Sequence, residues 1–173
     1  MGNIAPKELL VTRWAALVND PSLHDLPYKL ELNAEGKIEM SPASNRHGLI
    51  QARIARALGD SLSAGESITE CSVLTDIGIR VPDVVWASRV FLERHGDDTP
   101  FTEAPEICVE IVSPSNSARE IDEKIRAYLA AGAQEVWVVS VAGDMRIHGA
   151  EGPREQSAFS VAVEIPRFQK TED

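Results

Sequence analysis

Apolar residues recur along this chain with two different periods, and each period predicts a different kind of element. Spacing of three and four residues predicts three helices, over residues 7–18, 45–62 and 118–131. Ser44 or Asn45 is a suitable N-cap for the second helix, and Gly132 is a suitable stop for the third. The N-terminal part of the chain is therefore expected to begin with an amphipathic helix.

Alternating patterns and short continuous apolar runs predict strands instead. They lie at residues 28–32, 37–40, 67–73, 76–79, 83–87, 106–112, 136–140, 145–148 and 158–164. Residues 94–101 are polar and contain glycine and proline, so a loop is predicted there. Strands followed by helices and then a mainly β tail indicate a mixed α/β or α+β fold. With no repeat or linker in the sequence, we expect one domain over residues 1–173.

The acidic composition narrows the range of functions. The 173-residue chain has a formal net charge of −10, a pI of about 4.9 and 43% hydrophobic residues. Such a charge weighs against an extended basic surface that grips nucleic acid without sequence preference. A local basic patch stays open as an interpretation, because Arg46, Arg53 and Arg56 lie in one segment.

The cysteines and the N-terminus favour a cytoplasmic protein. Cys71 and Cys108 lie in predicted strands and are expected to be reduced core residues, with a single disulfide as the alternative. The N-terminus lacks a basic region followed by an apolar run, so no signal peptide is expected. No apolar run approaches the length that spans a membrane, so no membrane partner is expected either.

Two carboxylates stand in apolar strands where core residues are expected. Asp83 follows Val81 and Pro82, and Glu110 lies within residues 106–112. A buried charge needs a partner, and converging carboxylates commonly hold a hard cation such as Mg²⁺. Each acid also has a simpler interpretation. Asp83 could serve a turn at the entrance of a strand, and Glu110 could reach solvent from the end of one. Their occurrence together favours a metal-dependent active site.

Four other residues are candidates for the same site. Lys124 lies at the edge of the apolar stripe of the third helix, so its ammonium could reach water or turn back toward Glu110. In the second case it would position a nucleophile or offset charge in the transition state. His47 and Gln51 lie one turn apart on the second helix and could face the same cleft, although a structural histidine is equally plausible. Glu31 could add a carboxylate, although a surface charge on a hairpin is the commoner explanation.

An ordered set of motifs spans nearly the whole chain. It comprises YKLELNAEGKI at residues 28–38, MSP at 40–42, His47, VPDV at 81–84, EIVSPS at 110–115, EKI at 123–125, Tyr128, Gly132 and EVWVV at 135–139. In this order and at these spacings, the chain resembles the Uma2 (DUF820) family of the PD-(D/E)xK nuclease-like superfamily. The resemblance implies a restriction-endonuclease-like core, in which a central mixed β-sheet is flanked by helices, with an N-terminal helix and a β-hairpin.

The resemblance also implies an activity, the hydrolysis of DNA phosphodiester bonds by a metal-dependent endonuclease. Asp83 and Glu110 would ligate Mg²⁺ or Mn²⁺. The superfamily usually carries a lysine two residues after the second acid, where this chain has Val112, and Lys124 matches the lysine of the family's Glu-Lys pair. Lys124 is therefore the expected substitute.

The accessory roles and the partners are also expectations. His47 or Gln51 would orient water or a phosphate oxygen, and Glu31 is a further accessory residue. We expect a homodimer, because cutting both DNA strands favours two sites and because apolar strands near the C-terminus could pair across a two-fold axis. Two other functions stay open: a non-catalytic binding or assembly module, and a metal hydrolase acting on a small phosphoester.

Overall fold

The protein, seen in a computed structural model, is described over residues 4–165, which form four α-helices and ten strands. The helices are α1 Lys7–Val18, α2 Asn45–Ser61, α3 Arg89–His95 and α4 Ala118–Ala130, with a short 3₁₀ helix at Pro21–Leu23. The strands are β1 Tyr28–Asn33, β2 Ile38–Pro42, β3 Gly65–Thr69, β4 Val73–Thr75, β5 Gly78–Arg80, β6 Val84–Ser88, β7 Ile107–Val112, β8 Glu135–Ser140, β9 Met145–Gly149 and β10 Gly152–Arg154. None of these helices is long and apolar enough to cross a membrane.

The larger sheet has six strands in the order β10-β9-β8-β7-β6-β3. Strands β7 and β8 are parallel and are joined by the crossover through α4, whereas the other neighbouring pairs are antiparallel. Because both faces of β7 and β8 are covered, these strands are apolar on both sides. The predicted central mixed sheet flanked by helices is confirmed.

The smaller sheet has four strands in the order β2-β1-β5-β4. Its β1–β2 hairpin was predicted, and the turn closes where Gly36 N–H donates to the carbonyl of Asn33 at 2.8 Å. Gly78 allows β5 to approach β1: its φ is 116°, and a Cβ there would lie 2.0 Å from the carbonyl oxygen of Leu32. This close approach brings the end of β5 beside β1, next to the acids of the hairpin.

Three apolar clusters hold these layers together. One lies between the larger sheet and helices α3 and α4, and includes Cys108 and Tyr128. The second lies on the opposite face, where α2 packs and Ile107 and Val109 point. The third joins α1, through Trp14, to the smaller sheet. Since side chains alternate along β7, Glu110 points to the same face as Cys108, toward α4.

Two elements differ from the sequence prediction in kind. Helix α3 covers residues 89–95, a stretch for which only a loop from residue 94 was predicted. Ser88 caps it by accepting from Phe91 N–H, and Phe91 is buried against Phe101. A helix of seven residues is too short to show a helical period. Residues 158–164, predicted as a strand, form none, because Phe159, Val161 and Val163 pack on the second apolar cluster instead.

Other differences concern the boundaries of elements. The run predicted at residues 67–73 is divided between β3 and β4, because Glu70 adopts a φ of 54° and turns the chain. Strand β6 begins at Val84 rather than Asp83, although Asp83 N–H still donates to the carbonyl of Val109 at 2.9 Å. Both cysteines are free, as expected. Asp83 therefore lies at the entrance of β6 and beside β7.

Glu135 ties the segment after β10 to the larger sheet. Its fully buried carboxylate accepts two hydrogen bonds on each oxygen. The donors are Arg154 Nη1 at 3.0 Å and Ala158 N–H at 2.7 Å on Oε1, with Trp137 Nε1 at 2.8 Å and Ser157 Oγ at 2.7 Å on Oε2.

We expect Glu135→Gln to lower the free energy of unfolding by about 2–3 kcal/mol, because an amide nitrogen would then face two donors in a buried place. Urea unfolding of the native protein and the variant measures the difference. Glu155→Gln is the matched control, since Glu155 is exposed, and its stability should stay near that of the native protein. Equal stability of the two variants would contradict this account of Glu135.

Candidate active site

Asp83 is the most buried carboxylate of the candidate site, with 1% of its surface exposed. Its Oδ2 accepts from the backbone N–H of Ile111 at 2.7 Å and lies 3.2 Å from His47 Nε2. Its Oδ1 accepts from Lys29 Nζ at 2.8 Å. Contacts from β7, α2 and β1 therefore fix the carboxylate in one orientation.

Glu110 projects from β7 toward α4 and meets two side chains of that helix. Lys124 Nζ lies 3.2 Å from each carboxylate oxygen, and Tyr128 Oη donates to Oε1 at 2.6 Å. Lys124 and Tyr128 are four residues apart and so lie on one face of the helix. The ammonium of Lys124 could have reached water or turned back toward Glu110, and in the structure it turns back to Glu110.

Glu31 joins the smaller sheet to the same cluster. Its Oε1 accepts from Lys124 Nζ at 3.0 Å and from Val81 N–H at 2.8 Å, while Oε2 lies 3.3 Å from Arg80 Nη1. Arg80 also pairs with Glu39. Lys124 is thus shared between Glu31 and Glu110, two acids that come from different sheets.

Burial and neighbouring charge act in opposite directions on the pKa values of these groups. Burial opposes ionisation of Asp83, but the hydrogen bond with His47 and the charge of Lys29 outweigh it and lower the pKa to about 2. For Glu31, burial is again outweighed, here by Lys124 and Lys29, so its pKa is lowered. Burial would lower the pKa of Lys124, but Glu110 and Glu31 raise it. The cluster therefore favours charged carboxylates beside charged ammonium groups.

These residues line a cavity of about 800 Å³ between the two sheets and α4. Its wall carries seven carboxylates against three lysine or arginine side chains, an excess of four negative charges when His47 is neutral. Six of these side chains form an inner group whose charges are balanced. Its acids are Glu31, Asp83 and Glu110, and they contact the cations of Lys29, Arg80 and Lys124. The excess comes from the outer part of the wall, where the acids are Glu39, Glu70, Glu120 and Glu123.

The donor chemistry of Asp83 and Glu110 fits a hard divalent cation. In residues 4–165 no three histidine, cysteine or acidic side chains are grouped to hold a metal. Mg²⁺, however, is usually bound by one or two carboxylates and several waters. The two acids already face one cation, because Lys29 Nζ lies 2.8 Å from Asp83 Oδ1 and 3.9 Å from Glu110 Oε2. Oxygen atoms from β7 and from the residue that precedes β6 thus converge on one position that a positive charge occupies.

Five of the six candidate residues come together in this cavity, and one does not. Asp83, Glu110, Lys124, Glu31 and His47 line the wall. Gln51 lies outside that wall, and its amide donates to Glu70 Oε1 at 3.4 Å. Gln51 lies on the same face of α2 as His47 but one turn further along the helix, where it meets Glu70 and not Asp83.

Sequence reasoning missed Lys29, Arg80 and Tyr128 as members of the cluster. Side chains two apart on a strand share a face, so the choice of Glu31 already placed Lys29 beside it. The spacing of apolar residues in α4 places Tyr128 in its apolar stripe, and the residue is fully buried, but its hydroxyl reaches Glu110. The hydroxyl of a buried tyrosine usually has a hydrogen-bond partner. The predicted burial of Tyr128 therefore already indicated a polar group near its hydroxyl.

The mixed central sheet flanked by helices is a restriction-endonuclease-like fold. Residues 20–160 match the family model of Uma2, described as "Putative restriction endonuclease". The chain therefore belongs to the Uma2 family.

A solved structure supports the same class of fold. It is described as a "putative nuclease belonging to DUF820" from Anabaena variabilis ATCC 29413. The match has a TM-score of 0.59 and 21% sequence identity, and it covers 78% of this chain and 76% of that chain. At this identity the likeness shows the fold alone. No curated protein matches the chain.

The lowered pKa of Asp83 predicts a loss of stability in acid. A carboxylate whose pKa falls from 3.8 to about 2 on folding stabilises the protein above pH 4, and that contribution disappears as the pH falls toward 2. Its size is about 2 kcal/mol. We expect the unfolding free energy of Asp83→Asn to depend less on pH in this window.

Urea unfolding at several pH values between 2 and 5, with EDTA present, measures this dependence. Asp60→Asn is the control, because its carboxylate is largely exposed and pairs only with Arg56 across one helical turn in the described residues. A pH dependence of Asp83→Asn equal to that of the native protein would contradict the assignment.

Proposed function

We propose that this protein is a metal-dependent endonuclease that hydrolyses DNA phosphodiester bonds through Asp83, Glu110 and Lys124. The observation that carries the proposal is the convergence of these three side chains in one cavity, where Lys124 Nζ lies 3.2 Å from both oxygens of Glu110. Membership of the Uma2 family supports the reaction class.

Asp83 and Glu110 would hold the Mg²⁺ or Mn²⁺ ion. When bound, such an ion supplies a Lewis acid that favours deprotonation of water and stabilises negative charge on a phosphate. Ile111 N–H fixes the orientation of Asp83, and Tyr128 Oη fixes that of Glu110. These contacts prepare the two acids before substrate arrives, which lowers the cost of organising the site.

Lys124 would offset the charge that develops on the phosphate. In the superfamily this role belongs to a lysine two residues after the second acid, but Val112 is apolar and lines the same cavity. Lys124 supplies a cation at Glu110 from the neighbouring helix instead, and Glu31 holds its ammonium at 3.0 Å. A fixed cation needs little reorganisation during the reaction, and this is the basis of electrostatic catalysis.

The negative wall of the cavity also favours a bound cation. A DNA phosphate that enters meets an excess of carboxylates, so a divalent ion at Asp83 and Glu110 would reduce the repulsion. His47, at 3.2 Å from Asp83, would orient water or a phosphate oxygen beside that acid.

A non-catalytic binding or assembly module is the second candidate. The observation that favours it is the balance of the inner group, in which three cationic side chains pair with Glu31, Asp83 and Glu110. A structural cluster of that kind would keep its charges paired and hold the two sheets together through Lys124.

A homodimer remains part of the proposal only through the need for two sites when both DNA strands are cut. The second argument for it was that apolar strands near the C-terminus could pair across a two-fold axis. Residues 158–164 form no strand and pack on the second apolar cluster, whereas β9 and β10 are strands of the larger sheet, so the dimer stays a prediction.

Plasmid cleavage with Mg²⁺ or Mn²⁺ separates the two candidates. We expect the native protein to nick or linearise supercoiled DNA, and Asp83→Ala and Lys124→Ala to lose about 100-fold in rate or more, because each removes a charge at the reacting phosphate. Asp60→Ala and Lys37→Ala are the matched controls, since both residues are exposed and lie outside the cavity.

Circular dichroism of every variant checks that it is folded. Cleavage by Asp83→Ala at the native rate would contradict the catalytic role of the cluster. Absence of cleavage by the native protein on supercoiled, linear and single-stranded DNA would favour the binding module. Turnover of a chromogenic phosphoester without DNA cleavage would favour a hydrolase of small phosphoesters.

A further inference from the structure

Lys29 occupies the position between the two proposed metal ligands. Its ammonium lies 2.8 Å from Asp83 Oδ1 and 3.9 Å from Glu110 Oε2, and 14% of the side chain is exposed. It comes from β1 in the smaller sheet, whereas both acids come from the larger sheet. A cation supplied by one sheet thus neutralises the acids of the other.

Each of the other two cations in the inner group serves a different pair of acids. Lys124 is shared by Glu31 and Glu110, and Arg80 is shared by Glu31 and Glu39. Asp83 also has a lysine partner: among the lysines and arginines of the described residues, it is Lys29 that contacts this acid. A divalent ion that bound Asp83 and Glu110 with Lys29 still in place would lie within a few ångströms of an ammonium group. Like charges at that separation repel strongly in a partly buried site.

We propose that Lys29 is a built-in counter-ion that competes with a divalent cation for Asp83 and Glu110, so that metal binds only when the ammonium leaves. The inference rests on the proposed function for the identity of the two ligands, and it adds a residue that controls the occupancy of the site. In the metal-free protein Lys29 keeps the two acids neutralised and in position.

The cavity provides a place for the displaced ammonium. Lys29 lies in the same wall as four further carboxylates, of which Glu39 and Glu123 pair with arginines and Glu70 and Glu120 are the others. A lysine has a long, flexible side chain with three donors, and it can move among acids without a change of backbone. Removal from Asp83 therefore leaves the ammonium in negative surroundings.

Binding of Mn²⁺ alone, measured by electron paramagnetic resonance, tests the competition without any need for activity. We expect Lys29→Met to bind Mn²⁺ at least about tenfold more tightly than the native protein, because the competing charge is gone. Lys29→Arg keeps the charge and should bind no more tightly than the native protein. Lys37→Met, which removes an exposed lysine of the same hairpin, should match the native protein, and Lys29→Met/Asp83→Asn should lose the gain.

A second measurement uses the native protein only and does not depend on the folding of a variant. Acetylation of lysines with a limiting reagent, followed by mass spectrometry, reports how accessible each ammonium is. We expect Mn²⁺ to increase the modification of Lys29 several-fold while Lys37 is unchanged. Tighter Mn²⁺ binding by Lys29→Met together with release of Lys29 by Mn²⁺ would support the proposal.

Equal or weaker Mn²⁺ binding by folded Lys29→Met, or Lys29 that stays protected at saturating Mn²⁺, would overturn the proposal. Plasmid cleavage in parallel separates this result from the proposed function. Metal-dependent cleavage by the native protein, with unchanged Mn²⁺ binding by Lys29→Met, would contradict the competition by Lys29 and still support the nuclease proposal. Tighter Mn²⁺ binding by Lys29→Met, without DNA cleavage by the native protein or any variant, would contradict the nuclease proposal and still support the competition by Lys29.

Discussion

The structure depends on the burial of two carboxylates, Glu110 on β7 and Asp83 at the entrance of the neighbouring strand β6. Neither charge can stay buried alone, because the loss of hydration would cost several kcal/mol. Each is stabilised by a lysine, Lys29 for Asp83 and Lys124 for Glu110, and each lysine comes from an element outside those two strands. The smaller sheet and α4 are thereby held against the larger sheet by charge as well as by apolar contact.

This arrangement gives the cavity an inner region and an outer region with different charges. The inner region is balanced, and the outer region carries the excess of carboxylates. A polyanion is repelled by the outer region, whereas a divalent cation is attracted to it. Under the proposed function, the same acids that hold the fold together would bind a cation once the lysine between them moves away. Stability and function would then depend on one set of charges.

The sequence predicted much of the fold because the apolar pattern was strong where elements are long. The bounds of α1 matched, as did the hairpin and the face alternation of β7. The pattern failed for α3, which is too short to show a period, and for residues 158–164, whose alternation reflects packing on the sheet without strand pairing. Patterns record which residues are buried, and burial alone does not distinguish a strand from an extended segment.

The site was predictable in part for a related reason. A carboxylate in an apolar strand is conspicuous, so Asp83 and Glu110 stood out. The residues that neutralise them did not, because a lysine at the edge of a hairpin or an arginine at a strand end is common on protein surfaces. Lys29 meets Asp83 and Glu110 only when the two sheets pack together. Arg80 meets Glu31 and Glu39 only when β5 and β2 pair with β1 in the smaller sheet. Whether Gln51 has the accessory role expected of it remains a prediction, and its contact with Glu70 gives it no direct access to the acids.

Anomalous X-ray diffraction from crystals soaked in Mn²⁺ would test the central claim most directly, because it locates the metal and the lysine in one experiment. The account predicts an anomalous peak between the carboxylates of Asp83 and Glu110, with Lys29 Nζ no longer 2.8 Å from Asp83 Oδ1. Lys29 still bound to Asp83 at a Mn²⁺ concentration that supports cleavage, with no peak at the two acids, would contradict it.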